Sequence, residues 1–462
     1  MPLPVVAIIG RPNVGKSTLF NRILRRRQAI VDDRPGVTRD RNYALADWAG
    51  REFYLVDTGG LVPHTKDRLE TAVKRQVEAA IGESDLLALV VDAKAGITDT
   101  DRHIAQLIRR RAKPHIVIAN KVDGAREELE AHQFYRLGLG QPHPASAASG
   151  RNIGDLLDEM VALLPQAEAE TGRPAAIRVA VLGKPNVGKS SLINAITGQE
   201  RVIVDSEPGT TRDAVDTAFS WQGSHFMLVD TAGLRRKSKA TEDLEFYTRL
   251  RTERSIEGAE VGILVLDSSQ GLAHLDLTLG GMLDGFDRAA VVAVNKWDLA
   301  KDQNQAQYLG WIRKQMPFLS YAEFVFTSAT QGQGIPHLLQ ATLSAHSQWR
   351  KRIEPELLTA AFEEAVRKYQ PPAVKGKDVS LYGVRQARTQ PPGLEVLTNQ
   401  PKLIPESYQR YLVRSLQEGL GLRGTPLRIR YLLSKPTPEW RKRRYVDFGQ
   451  RPRYRADGGK EG

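Results

Sequence analysis

Two short segments of the sequence have the composition and spacing of a loop that binds phosphate groups. They read GRPNVGKST from residue 10 and GKPNVGKSS from residue 183. The glycines let backbone N–H groups surround a phosphate chain, and the lysine contacts the outer phosphates while the next hydroxyl binds Mg²⁺. The predicted triphosphate-binding residues are Gly10, Arg11, Pro12, Asn13, Val14, Gly15, Lys16, Ser17 and Thr18, with Gly183, Lys184, Pro185, Asn186, Val187, Gly188, Lys189, Ser190 and Ser191.

Threonine and aspartate follow each loop at positions suited to Mg²⁺ and to a terminal phosphate. The threonines lie in PGVTRD and PGTTRD, and the aspartates begin DTGG and DTAG, whose last glycine can contact the phosphate through its N–H. Turns use the same residue types, so each motif is a weak signal alone. The predicted residues are Thr38, Asp57, Thr58, Gly59 and Gly60, with Thr211, Asp230, Thr231, Ala232 and Gly233. The predicted Mg²⁺ ligands are Ser17, Thr38, Asp57, Ser190, Thr211 and Asp230.

The motifs NKVD and NKWD predict which base is bound. Each aspartate can accept hydrogen bonds from N1–H and the 2-amino group of guanine, and adenine would leave this carboxylate unpaired. The asparagine fits the other purine edge and neighbouring loops, the lysine stem can cover the base, and a later serine–alanine pair would complete the pocket. The predicted GTP- and GDP-binding residues are Asn120, Lys121, Asp123, Ser146 and Ala147, with Asn295, Lys296, Asp298, Ser328 and Ala329.

The elements that position these motifs occur twice along the chain. The alternative for a single loop is a glycine turn beside an unrelated lysine, but two complete sets in the same order weigh against it. Each copy alternates amphipathic stretches with apolar runs such as LLALVVD and VGILVLD, which are typical of strands buried on both faces of a mainly parallel sheet. The sequence predicts two tandem P-loop α/β domains, at residues 1–164 and 176–346, with helices on both faces of each sheet and a linker at 165–175.

The composition bounds the remaining functions. The chain has 462 residues, of which 41% are hydrophobic and 26% charged, as in folded soluble domains. The absence of cysteine excludes disulfides, thiolate nucleophiles and cysteine-bound zinc, and a reducing cytoplasm is the expected location. No apolar run reaches the ~20 residues that would span a membrane. The net charge of +12 favours polyanionic partners such as RNA.

With all these motifs in order, the chain resembles the GTPase superfamily. Two such domains followed by a small basic module are similar, over nearly the whole chain, to the bacterial Der/EngA family of ribosome-assembly GTPases. The resemblance implies a GTP-hydrolysing switch, acting in assembly of the large (50S) ribosomal subunit through nucleotide-dependent binding to its precursor and to rRNA. We expect a monomer. The alternatives are an RNA-modifying or RNA-chaperoning GTPase and a scaffold with one structural nucleotide site.

The mechanism of hydrolysis is predicted in part by what the chain lacks. Leu61 and Leu234 occupy the positions where many GTPases carry a water-orienting glutamine. Asn13 and Asn186 match an asparagine that helps related GTPases hold K⁺, although an asparagine there could also serve to shape the loop. The arginines of the PGxTRD motifs are a weaker source of positive charge. The residues assigned to catalysis are Asn13, Lys16, Thr38 and Gly60, with Asn186, Lys189, Thr211 and Gly233, and Asn13 and Asn186 are the predicted K⁺ ligands.

The region from 347 to 434 shows helix, two strands, helix and strand, which resembles the small α+β KH-like domain of the Der family. Its GLRG, from Gly421 to Gly424, has the G-x-x-G pattern with which KH domains clamp RNA. That clamp joins two helices, whereas GLRG joins a helix to the last strand, so we predict a helix C-cap and a turn.

Two basic segments remain open to two interpretations each. The stretch LRRKSKATEDLEFYTRLRTER after the second DTAG is either a nucleotide-gated contact for RNA or for the neighbouring domain, or a helix with a solvated charged face. The tail at 435–462 is rich in arginine with interspersed aromatic residues. We expect it to be disordered and to order on rRNA, and a solubilising extension is the alternative.

Overall fold

The structure, a computed structural model, describes residues 3–25, 43–58, 77–165, 176–198, 202–204, 216–229, 242–300, 304–374 and 376–435. Several predicted residues lie outside these ranges, namely Thr38, Gly59, Gly60, Leu61, Thr211, Asp230, Thr231, Ala232, Gly233 and Leu234. The linker from 166 to 175 and the tail from 436 also lie outside them.

The first domain is built on a six-stranded sheet with strand order β2-β3-β1-β4-β5-β6. Every neighbouring pair is parallel except β2 and β3, which are antiparallel. The elements in chain order are β1 (Val5–Ile9), α1 (Lys16–Arg25), β2 (Tyr43–Trp48), β3 (Arg51–Asp57), β4 (Leu86–Asp92), α2 (Asp99–Arg111), β5 (His115–Asn120), α3 (Ala125–Ala131), β6 (Pro142–Pro144) and α4 (Ile153–Leu163).

Apolar side chains cover both faces of this sheet, as the continuous apolar runs predict. All five residues of β1 are buried, and Val6 and Ile8 belong to one core cluster whereas Ala7 and Ile9 belong to another. Successive side chains of a strand point to opposite faces, so the two clusters lie on opposite faces. Helices α1 and α4 contribute to the first cluster and α2 to the second. The prediction of helices on both faces is confirmed for this domain.

The second domain repeats this order of elements on a seven-stranded sheet made of β7 to β13. In it β10 pairs in parallel with β7, and β12 pairs in parallel with β11 and β13. The elements are β7 (Ile177–Leu182), α5 (Lys189–Thr197), β8 (Val202–Val204), β9 (Thr217–Trp221), β10 (Ser224–Val229), α6 (Glu242–Gly258), β11 (Val261–Asp267), α7 (His274–Gly285), β12 (Ala289–Asn295), α8 (Gln305–Gln315), β13 (Glu323–Phe326) and α9 (Ile335–Trp349).

Strands β2 and β9 lie directly before β3 and β10 in the chain and are not predicted by the apolar pattern. In the first domain the two-residue turn Ala49–Gly50 has φ values of 52° and 77°, and β2 and β3 form a hairpin across it. Gln222 and Gly223 have similar values, 47° and 78°. Left-handed φ at both central residues is the conformation of a tight hairpin turn. Both turns have the same sequence signal. In WAGRE and in WQGSH, one residue and then a glycine follow the tryptophan that ends the first strand.

The C-terminal half of α6 contacts the first domain through charged residues. Glu253 is buried and accepts a hydrogen bond from the Tyr43 hydroxyl at 2.6 Å. Arg254 Nη2 lies 2.9 Å from Asp85 Oδ2. Leu250 is fully buried among the core residues of the first domain. At the end of this basic segment, Leu250, Glu253 and Arg254 therefore contact the neighbouring domain, as one of the two interpretations predicts.

The C-terminal domain contains α10 (Pro355–Lys368), β14 (Leu381–Arg388), β15 (Gly393–Thr398), α11 (Glu406–Gly419) and β16 (Arg428–Leu433). The sheet order is β14-β15-β16, with β14 antiparallel and β16 parallel to β15. Phe362 of α10, Val396 of β15 and Leu412 of α11 lie in one core. The predicted order of helix, two strands, helix and strand is confirmed.

The GLRG segment ends α11 and contacts the second domain. The N–H of Leu422 bonds to the carbonyl of Gln417 and the N–H of Gly421 to that of Glu418, which is the Schellman pattern of helix termination. The predicted C-cap is thus confirmed. Gly424 then donates through its N–H to the Tyr321 carbonyl at 2.7 Å. Its own carbonyl accepts from Ala290 N at 2.8 Å, so the same loop also docks on the second domain.

No helix within the described ranges is both long enough and apolar enough to cross a bilayer.

Candidate functional site

Each phosphate loop connects a buried strand to a helix, and its lysine lies inside the loop. Residues 10–15 connect β1 to α1, residues 183–188 connect β7 to α5, and the predicted hydroxyl residues that follow each lysine lie in the first turn of α1 or α5. Lys16 Nζ donates to the carbonyl oxygens of Gly10 and Arg11, both at 2.9 Å. Lys189 makes the equivalent bonds to Gly183 and Lys184 at 2.7 and 2.8 Å. Both loops are therefore closed around an ammonium group.

Burial changes the protonation of these two lysines. It lowers the pKa of Lys16, against the charge of Asp57, which raises it. At Lys189 burial lowers the pKa to about 8, with Asp276 opposing the shift. A phosphate group bound nearby would favour the charged form, because an opposite charge stabilises an ammonium. The second site therefore gains part of its positive charge on binding phosphate when the pH lies near 8.

The second glycine of each loop is required by a neighbouring asparagine. Gly15 has φ of 96°, and a Cβ there would lie 2.3 Å from Asn120 Nδ2. Gly188 has φ of 97°, and its Cβ would lie 2.4 Å from Asn295 Nδ2. Both the left-handed φ and the close approach exclude a side chain.

Asn120 and Asn295 bridge the phosphate loop to the serine–alanine loop. Asn120 is buried, donates from Nδ2 to the Val14 carbonyl at 2.8 Å and accepts at Oδ1 from Ala147 N at 2.9 Å. Asn295 donates to the Val187 carbonyl at 2.9 Å and accepts from Ala329 N at 3.1 Å. Of the two predicted uses of these asparagines, these bonds are of the kind made to neighbouring loops. They hold the phosphate and base halves of each site together.

Lys121 and Lys296 connect the phosphate loop to a strand end. Lys121 Nζ lies 2.6 Å from Asp92 Oδ2 and donates to the Asn13 carbonyl at 2.9 Å. Lys296 makes the same two contacts with Asp267 at 2.7 Å and with Asn186 at 2.8 Å. Burial raises the pKa of Asp92, but bonds from Lys121 and from backbone N–H groups outweigh it, so the pKa lies below its usual value. The ammonium is thus fixed and the stem is held beside the base loop.

The two predicted K⁺ ligands have the same backbone conformation. Asn13 has φ of 65° and Asn186 has φ of 66°, and both side chains are exposed. Asparagine adopts left-handed φ more readily than most residues. Asparagine therefore suits the loop conformation at this position, and its side chain makes no hydrogen bond to any residue that the structure describes.

The two carboxylates predicted to bind guanine, Asp123 and Asp298, have different surroundings. Asp123 accepts from the Ser146 hydroxyl at 2.8 Å and from Lys94 Nζ at 2.8 Å. These two bonds lower the pKa of Asp123. In the second domain Ser269 takes the place of Lys94, and Asp298 Oδ1 is buried without a hydrogen bond to any residue that the structure describes. The first carboxylate is thus already paired and the second has an open acceptor.

A buried aspartate anchors the second residue of each phosphate loop. Arg11 Nε lies 3.5 Å from Asp101 Oδ2, and Lys184 Nζ lies 3.7 Å from Asp276 Oδ2. Both aspartates also cap a helix, since each accepts from the backbone N–H three residues before it. The helix that follows β4 or β11 is thereby fixed to the loop.

These partners were not predicted from the sequence. Asp92 and Asp267 end LLALVVD and VGILVLD at matching positions, and that repetition is the signal that could have found them. Asp101 and Asp276 occupy the third position of a helix that follows a matching strand. The Lys94 contact with Asp123 has no such signal, because the second copy does not repeat it.

The structure describes three of the six predicted Mg²⁺ ligands, which are Ser17, Asp57 and Ser190. Asp57 ends β3 and is buried, and the neighbouring Thr58 hydroxyl donates to the Ile8 carbonyl at 2.8 Å. Ser17 and Ser190 are the second residues of α1 and α5, directly after the lysines. The described residues include no cluster of three or more His, Cys, Asp or Glu that could hold a metal. Hydroxyl and carboxylate oxygens suit Mg²⁺, which keeps water and substrate phosphates as its other ligands.

Comparisons with known proteins agree with this arrangement. A family model described as "50S ribosome-binding GTPase" matches residues 5–121 and 178–296, and one described as "KH-domain-like of EngA bacterial GTPase enzymes, C-terminal" matches 352–431. The fold and the paired sites define a GTPase with two P-loop domains and a C-terminal KH-like domain. The chain is 45% identical over 431 residues to GTPase Der of Desulforudis audaxviator, covering 93% of this chain and 98% of the relative. It is 46% identical over 432 residues to that of Moorella thermoacetica, with the same coverage. The chain belongs to the GTPase Der family.

Proposed function

We propose that both domains bind GTP with Mg²⁺ and hydrolyse it, and that the protein acts as a switch in assembly of the large ribosomal subunit. The observation that carries the proposal is the pair of closed phosphate loops, each bridged by a buried asparagine to a guanine-reading loop. The family model that covers both domains is described as a 50S ribosome-binding GTPase. The net charge of +12 favours an RNA partner.

The proposed roles follow the chemistry of each residue type. Lys16 and Lys189 neutralise charge on the outer phosphates, which is where negative charge develops in phosphoryl transfer. Asp123 and Asp298 accept the donors of guanine. The Mg²⁺ ligands are Ser17, Thr38 and Asp57 in the first domain and Ser190, Thr211 and Asp230 in the second. The metal would supply charge for the β- and γ-phosphate oxygens when bound.

We propose that K⁺ stimulates hydrolysis, through Asn13 and Asn186. Their exposed side chains and left-handed backbone hold the amide oxygen at the surface of the loop, and Leu61 and Leu234 offer no water-orienting amide. The test is GTP turnover in K⁺ and in Na⁺ at equal ionic strength. Faster turnover in K⁺, lost in Asn13→Ala for the first site and Asn186→Ala for the second, is the expected result. Equal rates in the two salts contradict this part of the proposal.

The proposed domain boundaries are 1–164, 176–346 and 347–434, with a linker at 165–175 and a basic tail at 435–462. We propose a monomeric, cytoplasmic protein that binds rRNA.

The experiment that tests the switch is cosedimentation with large-subunit particles in GDP and in a non-hydrolysable GTP analogue. We expect stronger binding in one nucleotide state, and loss of that difference in Lys16→Ala or Lys189→Ala. These variants also separate a switch from a scaffold, because a structural second site would leave turnover and binding unchanged in Lys189→Ala. No cosedimentation in either nucleotide contradicts the ribosomal role.

A further inference from the structure

A recess with a volume of about 440 Å³ lies where the C-terminal domain meets the end of α9. It is lined by Arg350, Arg352 and residues 386–390, the last of which include Arg388. Arg350 is the C-cap of α9, where a cation is favoured by the helix dipole. The recess is thus surrounded by three guanidinium groups.

Hydrogen bonds fix the backbone of this recess. Gln386 accepts at Oε1 from Ile353 N at 2.9 Å and donates from Nε2 to the Lys351 carbonyl at 3.0 Å. Gln390 N donates to the Trp349 carbonyl at 3.0 Å, and Trp349 is itself buried. Since both walls are tied to each other and to a buried anchor, a ligand would meet a site that is already formed.

The charge of the recess is largely uncompensated. Arg388 Nη2 pairs with Asp287 Oδ2 at 2.8 Å, and Asp287 is shared with Arg428. Arg350 and Arg352 are exposed, and neither forms an ion pair with any residue that the structure describes. No acidic residue is among the lining residues, although Glu354 lies two positions from Arg352 in the sequence. The recess therefore carries a net positive charge.

The G-x-x-G segment of the C-terminal domain, GLRG, is packed against the second domain and is not open to an RNA strand. Gly424 is bonded through both its N–H and its carbonyl to the second domain. A Cβ at Gly424 would lie 2.5 Å from Ala345 Cβ, which shows how closely the two surfaces pack. An RNA strand that binds the C-terminal domain therefore requires another basic surface.

We propose that this recess binds backbone phosphate groups of single-stranded RNA, an inference that rests on the proposed ribosomal function. The planar guanidinium forms two parallel hydrogen bonds with a phosphate, and the side chains of Arg350 and Arg352 donate to no residue within the described ranges. The volume of the recess admits a phosphate and its sugar from a flexible strand. The contacts are to the backbone, so the site has no sequence preference.

The test measures binding of a fluorescein-labelled 20-nucleotide RNA of mixed sequence to the full chain, by anisotropy over a range of KCl concentrations. The variant is Arg350→Ala with Arg352→Ala. Two lost phosphate contacts reduce the slope of log K against log[salt] by about 1.4, which corresponds to roughly 25-fold weaker binding at about 0.1 M salt. The matched control is Arg410→Ala with Arg414→Ala, which removes the same charge from exposed positions on α11 of the same domain.

We expect the control to change RNA affinity by less than about threefold. Both variants should keep wild-type GTP turnover and unfolding temperature. GTP turnover should be unchanged because the recess is far from the nucleotide site. The recess lies near the start of β12, and the loop proposed to bind guanine follows the end of β12, about 20 Å away along the strand. Equal losses of RNA affinity in the two variants would mean general charge attraction and would overturn the proposal. Inorganic phosphate alone could raise the unfolding temperature of the wild type while the recess variant binds RNA normally. This result would show a site for free phosphate and would also overturn the proposal.

Cosedimentation with ribosomal particles separates this inference from the proposed function. If the wild type binds particles and the recess variant binds RNA normally, the recess assignment is wrong and the function stands. If the recess variant loses RNA but the wild type binds no particles, the recess is supported and the ribosomal role is wrong.

Discussion

Replacing Asn120 with alanine should weaken the first nucleotide site without touching a nucleotide directly. The side chain is 3% exposed and makes two hydrogen bonds, to the Val14 carbonyl and from Ala147 N. Val14 and Ala147 are themselves buried, so the substitution leaves one acceptor and one donor unpaired. Each such group costs about 1–3 kcal/mol.

The expected loss of free energy for the two unpaired groups together is about 2–3 kcal/mol, at the lower end of their sum. The loops border the open site, so water can reach the two groups once the asparagine side chain is removed. This loss divides between the unfolding free energy of the nucleotide-free domain and the binding free energy of the nucleotide. The two parts add up to the loss in the nucleotide-bound protein. Affinity for GDP should therefore fall by at most roughly 150-fold, since each 1.4 kcal/mol is tenfold. The unfolding midpoint should fall by no more than about 12 °C.

The assay is a titration with a fluorescent GDP analogue in a Lys189→Ala background, where the second phosphate loop lacks its lysine, together with thermal unfolding in the absence of nucleotide. Asn120→Asp is the informative companion variant. It keeps an acceptor for Ala147 N but turns an oxygen toward the Val14 carbonyl, so it should bind GDP no better than Asn120→Ala.

Combined losses below about 1 kcal/mol in Asn120→Ala would refute the assigned bridging role. Recovery of affinity in Asn120→Asp would show that the bond to Val14 contributes nothing.

Further predictions concern Lys189, Lys94 and Gly424. Because only the protonated form of Lys189 attracts phosphate and its pKa is about 8, GDP affinity at the second site should fall about tenfold between pH 7 and 9. Over the same window the nucleotide-free second domain should become more stable, since the unfolded state binds more protons. Lys94→Ser, which gives the first site the residue of the second, should strengthen GDP binding roughly two- to fivefold by freeing Asp123 from an exposed ion pair. Gly424→Ala should lower the unfolding temperature of the full chain more than Gly421→Ala, because both have left-handed φ but only Gly424 packs against a neighbour.

Each of these has a comparison that can contradict it. Loss of the guanine N1 proton at alkaline pH affects both sites equally, so GDP affinity is compared between a chain with the first site silenced and a chain with the second site silenced. Equal falls in affinity in these two chains would contradict the role of Lys189. Weaker GDP binding in Lys94→Ser would mean that Lys94 assists recognition. Equal destabilisation by the two glycine substitutions would show that the docking contact at Gly424 carries no stability.

Strands buried on both faces were the most predictable part of the fold. LLALVVD and VGILVLD coincide with β4 and β11, because an uninterrupted apolar run of that length can only be satisfied by cover on both faces. The apolar pattern does not predict strands β2 and β9, because polar residues interrupt the apolar residues in both. Their turn residues carried the signal, and the apolar pattern did not.

The sequence predicts the residues of the site that belong to a motif with fixed spacing. It does not predict the contacts between one motif and another. The phosphate loops and the asparagine–lysine–aspartate motifs were found from spacing alone. The contacts between Asn120 and Val14 and between Lys121 and Asp92 depend on which strands become neighbours. The contact between Lys94 and Asp123 could not be predicted from the repeat. The second copy has Ser269 in place of Lys94, so it does not repeat this contact.

The contact of Gly424 with the second domain is made by main-chain atoms on both sides. Hydrogen bonds between backbone groups do not depend on which side chains are present, and they are little affected by added salt. Related sequences can therefore diverge on both surfaces, provided that this one residue stays a glycine. Concentrated salt that strips RNA from the basic surface weakens the ion pairs of Asp287 with Arg388 and Arg428, but it should leave this main-chain contact of the C-terminal domain in place.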